Sequence, residues 1–467
     1  MSIAIKPIPL KKNAVLDPDF RPAIYENEAF LKAVDDSGQY APVWFAVERE
    51  GGQIAVYHTK VFSEGLGMDE ANFKYIERFI KTVLWIKGGW KITFSGPKSA
   101  FNYLQKAYSP DGLRAFDAAF MGRIYEKPFT VESDEGLTAP ETIEKADRAG
   151  VNLSGCRIGF DAGGSDRKVA AVQDGKVVFS EEVVWHPKIQ NDPDYHYQEI
   201  RSAIRKAAGY LPRVDGIGVS SAGIFVNNRV MVASLFLKVP LELFDVKVKD
   251  IYLRIGKEIG DIPVEVRNDG DVTALAGAMS LKDTGILGIA MGTSEAAGYL
   301  DGNGCITGCL NELAFVPVDF NPRAMVDEWS GDYGCGVKYF SQDGVIKLAP
   351  VAGIKLDESL SPAEKLKVVQ ELMAAGDDRA RAIYETIGVY LGYSIPYYAQ
   401  FYDIKHLLIL GRVTSGQGGN IILETASDVL ELEFPELAGK IKLHLPDESD
   451  RRVGQAIAAA SLPVLKD

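Results

Sequence analysis

Two short turns carry residue types that bind phosphate. The first, Asp161-Ala162-Gly163-Gly164-Ser165, follows the apolar run Arg157-Ile158-Gly159-Phe160. The second, Gly292-Thr293-Ser294, follows Gly288-Ile289-Ala290-Met291. Glycine has no Cβ, so backbone N–H groups can come close to phosphate oxygens. The hydroxyl adds a donor, and the Asp161 carboxylate can hold a phosphate-bound metal ion, usually through water. Two such turns in one chain suggest two lobes gripping the phosphate tail of a nucleotide. Between them lies Asn268-Asp269-Gly270-Asp271, after a short apolar run and at a predicted helix start. Asn268, Asp269 and Asp271 could each cap that helix, but three such side chains exceed what one cap needs. Asp269 is the candidate general base, accepting a proton from an alcohol that attacks a γ-phosphoryl group. Asn268 would orient neighbouring hydroxyls.

Strands must position these residues. Apolar runs at Cys156–Phe160, Val169–Val172 and Val177–Val183 predict a three-stranded meander with turns at Gly163-Gly164 and Asp174-Gly175. Gly216–Ser220 predicts a buried strand ending in Ser221-Ala222-Gly223, and Val264–Val266 one ending at Asn268. The plan of strand, glycine-hydroxyl turn, strand, Asp-Gly turn then recurs at 285–304 as an internal duplication. Helices are expected at 195–208, 248–259, 272–279, 362–375, 379–401, 420–432 and 451–462. The strand 406–410 ends in Gly411-Arg412-Val413-Thr414-Ser415-Gly416. Polar or glycine-rich clusters thus stand at five strand ends, where open α/β sheets bind ligands.

The first 150 residues read differently. Residues 1 to about 38 show little periodicity. A hairpin at 43–57, a helix ending at Gly88-Gly89, a strand at 90–94, a helix at 100–108 and an extended stretch at 120–131 predict a small α/β unit with no visible chemistry. The polar stretch 132–150 reads as a linker. The expected domains are an accessory unit at 1–150, a first lobe at 151–275 on which the closing helix 451–467 packs, and a second lobe at 276–450.

The chain has 467 residues, enough for two to four cores. Its net charge of −13 argues against a nucleic-acid or anionic-membrane surface. The four cysteines (Cys156, Cys305, Cys309, Cys335) form no Cys-x-x-Cys and fit a reducing cytoplasm. No secretory leader and no membrane-spanning run is legible.

From about 155 to 460 the sequence resembles the ROK family of sugar kinases. Asp161-Ala-Gly-Gly-Ser165 is similar to that family's Asp-x-Gly-Gly-Thr turn. Ile217-Gly-Val-Ser-Ser-Ala-Gly223 is similar to its Ile-Gly-x-Gly-x-Pro-Gly segment, and Met291-Gly-Thr-Ser294 to its second phosphate turn. Asn268-Asp269 matches the family's Asn-Asp pair, Leu410-Gly-Arg-Val413 resembles its adenosine turn, and Gly454–Ala459 its closing helix. The resemblance implies a two-lobed ribonuclease H-like fold of the actin-like ATPase and hexokinase type, plus the extra N-terminal α/β domain. It implies ATP and Mg²⁺, with phosphates on Gly163, Gly164, Ser165, Gly292, Thr293 and Ser294. Adenosine would lie at Gly411 and Arg412, and Mg²⁺ at Asp161 by way of water or phosphate. A sugar would meet Asn268, Glu312, Ser221, Ala222 and Gly223, with Asp269 as base.

The chain departs from the family where the family binds zinc and sugar. The family's Glu-x-Gly-His is Glu312-Leu-Ala-Phe315 here, and its Cys-x-Cys-Gly-x-x-Gly-Cys-Leu-Glu is about Glu328 to Val337. Gly334 and Cys335 remain, but one cysteine cannot complete a tetrahedral zinc site, so no zinc is expected. Cys335 should be a buried apolar residue. The lost His and Glu leave the identity of the sugar open. The N-terminal unit would cover the sugar cleft or form a subunit contact, as in a homodimer. Three alternatives carry weight: a non-catalytic sugar sensor, a degenerate kinase that binds without reacting, and another ATPase of the superfold, such as an N-acetylglucosamine kinase or an activator ATPase.

Overall fold

The computed structural model describes residues 3–134, 138–148, 153–446 and 448–465. The chain is mixed α/β and divides into two compact units. One comprises 1–146, 289–297 and 307–445; the other comprises 147–288, 298–306 and 446–467.

The second unit is built on a five-stranded sheet. From one edge the strands are Val264–Asn268, Gly216–Ser221, Cys156–Ala162, Asp166–Gln173 and Lys176–Val184. All seven residues of Cys156–Ala162 are buried, which suits the near-continuous apolar run of a strand covered on both faces. Ile158, Phe160, Ile217 and Val219 join the core with Ile200 and Ile204 of helix Pro193–Ala208 and Ile255 of helix Ile251–Gly260. Helix Glu448–Ala460 lies very close to the sheet. A Cβ at Gly159 would fall 1.7 Å from the Ala456 carbonyl oxygen, and one at Gly218 1.6 Å from that of Ala459. Only glycine permits this approach. The strands 156–162, 216–221 and 264–268 run parallel, with Ala162 opposite Ser221 and Ser221 opposite Asn268. Their carboxyl ends therefore share one edge.

The first unit holds a four-stranded sheet in the order Gln53–Phe62, Tyr40–Arg49, Lys91–Ser95, Thr130–Ser133. The expected hairpin is present, reversing through Gly51 and Gly52 at φ 70° and 71°. Three features differ from the sequence reading. Residues 23–37 form a helix. The stretch expected to be extended from 120 is the end of helix Ala115–Tyr125, and the strand Thr130–Ser133 follows it. Phe116, Phe120 and Ile124 recur every four residues, so the helical period outweighs their aromatic and β-branched character. Helix Gln342–Val351 has no counterpart in the reading. Further on, helices Asp378–Tyr398 and Gln417–Glu433 pack tightly. Cβ atoms at Gly388 and Gly392 would fall 2.6 and 2.5 Å from Thr425 and Val429.

Of the polar stretch 132–150, residues 135–137 and 149–150 lie outside the described residues. Ile143 exchanges two backbone hydrogen bonds with Ile54 in the first unit. Asp147–Arg148 pairs with Cys305–Ile306 in the second.

Candidate active site

In the second unit the shared strand edge brings together Asp161, the glycine turn, the 221–223 turn and Asn268–Asp269. Helix Asp269–Leu281 begins there, with Asn268 as its N-cap. Asn268 Oδ1 accepts from Gly270 N at 2.7 Å, and its Nδ2 donates to the Gly223 carbonyl at 2.6 Å. The side chain expected to orient substrate hydroxyls thus also ties two turns together. Asp269 Oδ1 accepts from Gly270 N at 3.1 Å. Asp269 keeps partial exposure while its carboxyl is desolvated. Burial pushes its pKa up, opposed by backbone hydrogen bonds and by the charge of Lys188. From the closing helix, Gln455 donates to the Asp269 carbonyl at 3.3 Å and to Thr273 Oγ1 at 2.8 Å. Asp271 faces the other way, accepting from Tyr299 N at 3.3 Å.

Asp161 is 4% exposed, and Ser220 Oγ donates to its Oδ1 at 2.8 Å. Lys168 Nζ lies 3.8 Å from its Oδ2 and 3.1 Å from Asp166 Oδ1. Ser221 is buried, and its hydroxyl accepts from Tyr252 at 3.0 Å. Ala222 and Gly223 are half-buried. Gly223 has φ 138°, and a Cβ there would meet the Val232 carbonyl at 2.4 Å. Gly163 is half-buried, whereas Gly164 and Ser165 are exposed. Trp185 holds this turn: its indole donates to the Gly163 carbonyl at 2.7 Å and its backbone N–H to that of Ser165 at 3.1 Å. The supporting roles of Ser220, Tyr252, Trp185 and Lys188 are not legible in the sequence, because they depend on which strands become neighbours.

Burial raises the Asp161 carboxyl from 3.8 to about 6, against the opposing Lys168 charge and Ser220 hydroxyl. A carboxyl with a raised folded value binds its proton more tightly when folded. Its contribution to stability is present below pH ~4 and is lost as pH rises through about 6. At ~1.4 kcal/mol per pH unit the loss is on the order of 3 kcal/mol. Asp161→Asn should therefore raise stability in urea unfolding at pH 8 by up to about 3 kcal/mol, with the gain shrinking toward pH 4.5. A variant less stable than wild type at pH 8 would contradict this.

In the first unit, the Gly292 N–H bonds the Ser294 carbonyl at 3.0 Å, and the Gly292 carbonyl accepts from Gln342 N at 2.9 Å. Thr293 and Ser294 are exposed. Gly411 has φ 103°, and a Cβ there would fall 2.4 Å from the Met291 carbonyl oxygen, so the 292 turn and the 411 turn are neighbours. The Arg412 side chain is exposed, and its carbonyl accepts from Gln370 at 2.6 Å. Glu312 is half-buried, close enough to Glu295 for the two charges to interact. Glu295 is 3% exposed, and among the described residues neither of its carboxyl oxygens has a hydrogen-bond partner. Burial, then the Glu312 charge, push it well above the carboxylate range. A Cβ at Gly336 would lie 2.4 Å from Glu295 Oε2.

The departures from the zinc pattern have a physical counterpart in this unit. Phe315 stacks on Trp85 at 4.2 Å between ring centres and touches Phe116 and Phe120. Cys335 is fully buried, and burial raises its thiol to about 11. Beside it, Asp332 meets Arg78, Lys81 and Arg114 at 2.7 to 3.0 Å. Among the described residues no three His, Cys, Asp or Glu side chains gather as a metal-binding group. Nor is any described helix long and apolar enough to cross a membrane.

No protein-family model matches the sequence, and no curated protein matches it. Solved structures do. A ROK hexokinase from Thermus thermophilus is 17% identical, with TM-score 0.52, over 66% of this chain and 97% of that one. A ROK-family transcriptional regulator, a homologue of the Escherichia coli MLC protein, is 20% identical, with TM-score 0.53, over 67% and 79%. Over about two thirds of its length the chain therefore shares the fold of these ROK-family structures.

Proposed function

We propose that the protein transfers the γ-phosphoryl group of ATP to a sugar hydroxyl, with Asp269 as general base. The observation that carries this reading is the parallel register that sets Asp161, the Gly163–Ser165 turn and Asp269 along one edge. Gly163 and Gly164 fit a phosphate cradle, since neither projects a side chain from the turn. In the other unit we assign Gly292, Thr293 and Ser294 to phosphate and Gly411 and Arg412 to adenosine. Glu312 and the 221–223 turn are assigned to sugar hydroxyls, together with the free amide hydrogen of Asn268.

Asp161 suits Mg²⁺, a hard cation that takes oxygen ligands and keeps several waters. When bound, the ion neutralises charge on the phosphates. Asp269 takes the hydroxyl proton; it begins helix Asp269–Leu281 directly after strand 264–268 and keeps partial exposure. Its raised pKa brings it nearer the working pH of a general base.

A coupled ADP-release screen of the purified protein against a panel of hexoses and amino sugars tests the reading. At least one sugar should raise ADP release well above the sugar-free rate. No stimulation by any sugar, with ATP bound, would sink it. The fold likeness to a transcriptional regulator makes a sugar sensor the second reading, favoured if sugar binds without turnover. We propose that the protein holds no zinc, since Cys335 alone cannot complete a tetrahedral site. Dialysis against EDTA should leave thermal unfolding unchanged, and a fall in the midpoint would refute this.

A further inference from the structure

We propose that Lys188 is a catalytic residue that contacts the γ-phosphoryl group through the Gly163–Ser165 turn. This rests on the phosphoryl-transfer reading above. The lysine lies against Gly164: a Cβ at that glycine would fall 2.8 Å from Lys188 Cε and 2.9 Å from Nζ. The ammonium therefore occupies the side of the turn that a larger residue would fill.

The segment carrying it is fixed to that turn. Asp166 pairs with Val184 across the sheet, Trp185 bonds the Ser165 and Gly163 carbonyls, and His196 bonds the Pro187 carbonyl at 3.1 Å. Trp185 is 1% exposed, so the anchor is a core residue. The Lys188 charge also reaches Asp269, whose proton affinity it lowers. One cation thus lies against the phosphate turn and also acts on the proposed base.

The neighbouring cations are already spoken for. Arg167 pairs with Glu199 at 2.9 Å, and Lys168 with Asp166 and Asp161. Lys188 is exposed, and no carboxylate pairs with it among the described residues. A lysine that meets phosphate must be free to do so, and a compact ammonium suits a phosphate oxygen.

In the proposed step a lone pair of the sugar hydroxyl oxygen forms the new bond to the γ-phosphorus. The hydroxyl proton passes to the Asp269 carboxylate. The bond from the γ-phosphorus to the bridging oxygen breaks, and its electron pair leaves with ADP. Lys188 keeps its proton throughout and offsets negative charge on the moving phosphoryl oxygens.

The test compares Lys188→Met and Lys188→Arg with wild type in the whole chain. Binding of Mg·ATP and Mg·ADP is measured by calorimetry, and kcat is measured with the best sugar of the panel. Lys188→Met should weaken Mg·ATP about tenfold, the size of one charged hydrogen bond, and leave Mg·ADP within about twofold. Its kcat should fall about 100-fold, and Lys188→Arg should recover most of both losses. Wild-type behaviour of Lys188→Met would overturn the proposal. So would equal losses for ATP and ADP without rescue by Arg. If wild type binds ATP but phosphorylates no sugar, the transfer reading fails and the ATP-to-ADP comparison alone decides the lysine. If wild type binds neither nucleotide, both fall.

Discussion

Asp269→Asn is expected to lower sugar phosphorylation by about 10²–10⁴-fold, the usual worth of a positioned general base. The amide keeps the shape of the carboxyl and can still accept from Gly270 N, so helix Asp269–Leu281 should form as before. ATP affinity should stay within a few-fold, because the proposed phosphate contacts lie on other residues. Asp269→Ala should lose at least as much rate. The pH profile adds a second readout. Burial raises the Asp269 carboxyl above its ordinary value, and the base works only when ionised. The rate should therefore fall on the acid side with a midpoint above about 4, the ordinary Asp value. Full turnover by Asp269→Asn would remove it from the mechanism.

Asp332→Ala should be the most damaging single change to folding outside the site. Arg78, Lys81 and Arg114 face this carboxylate, with Glu77 and Asp117 completing a group of three cations and three anions. Every member is at most 4% exposed. Burial alone would push the Asp332 carboxyl up, but Lys81, Arg78 and Arg114 outweigh it and hold it well below the carboxylate range. Removing it leaves three buried cations against two anions. Breaking such a pair on one side costs about 3–5 kcal/mol. Because its folded pKa is depressed, the Asp332 contribution is present above pH ~4 and is lost as pH falls below that. Urea unfolding at pH 7.5 should show the full loss for Asp332→Ala, with the difference from wild type narrowing below pH 4. A change under about 1 kcal/mol at pH 7.5 would mean the network is not cooperative.

The sequence made the chemistry more visible than its scaffold. Strand ends show because glycines and polar side chains interrupt apolar runs, as at Asp161–Ser165 and Asn268–Asp271. What stayed hidden depends on strand and helix neighbours. Ser220 reads as one more small strand residue until the parallel register sets it opposite Asp161. Lys188 reads as a surface charge until Trp185 pins its segment to the phosphate turn. Phe315 reads as the loss of a histidine from the family's pattern, and Asp332 as one more polar residue of the segment that departs from it. Their partners Trp85, Phe116, Arg78, Lys81 and Arg114 stand about 200 or more positions away, in a region where the sequence shows no chemistry. Helix Ala115–Tyr125 was masked by its aromatic content, although its spacing was helical.

Phosphoryl transfer from ATP to a sugar oxygen at Asp269 leaves a mark on the product. The most direct measurement is the mass of the sugar after incubation with wild type, Mg²⁺ and ATP labelled with ¹⁸O in the γ-phosphoryl group. A sugar monophosphate carrying the label should form with wild type, and about 10²–10⁴-fold more slowly with Asp269→Asn. Labelled inorganic phosphate with every sugar unchanged would contradict it.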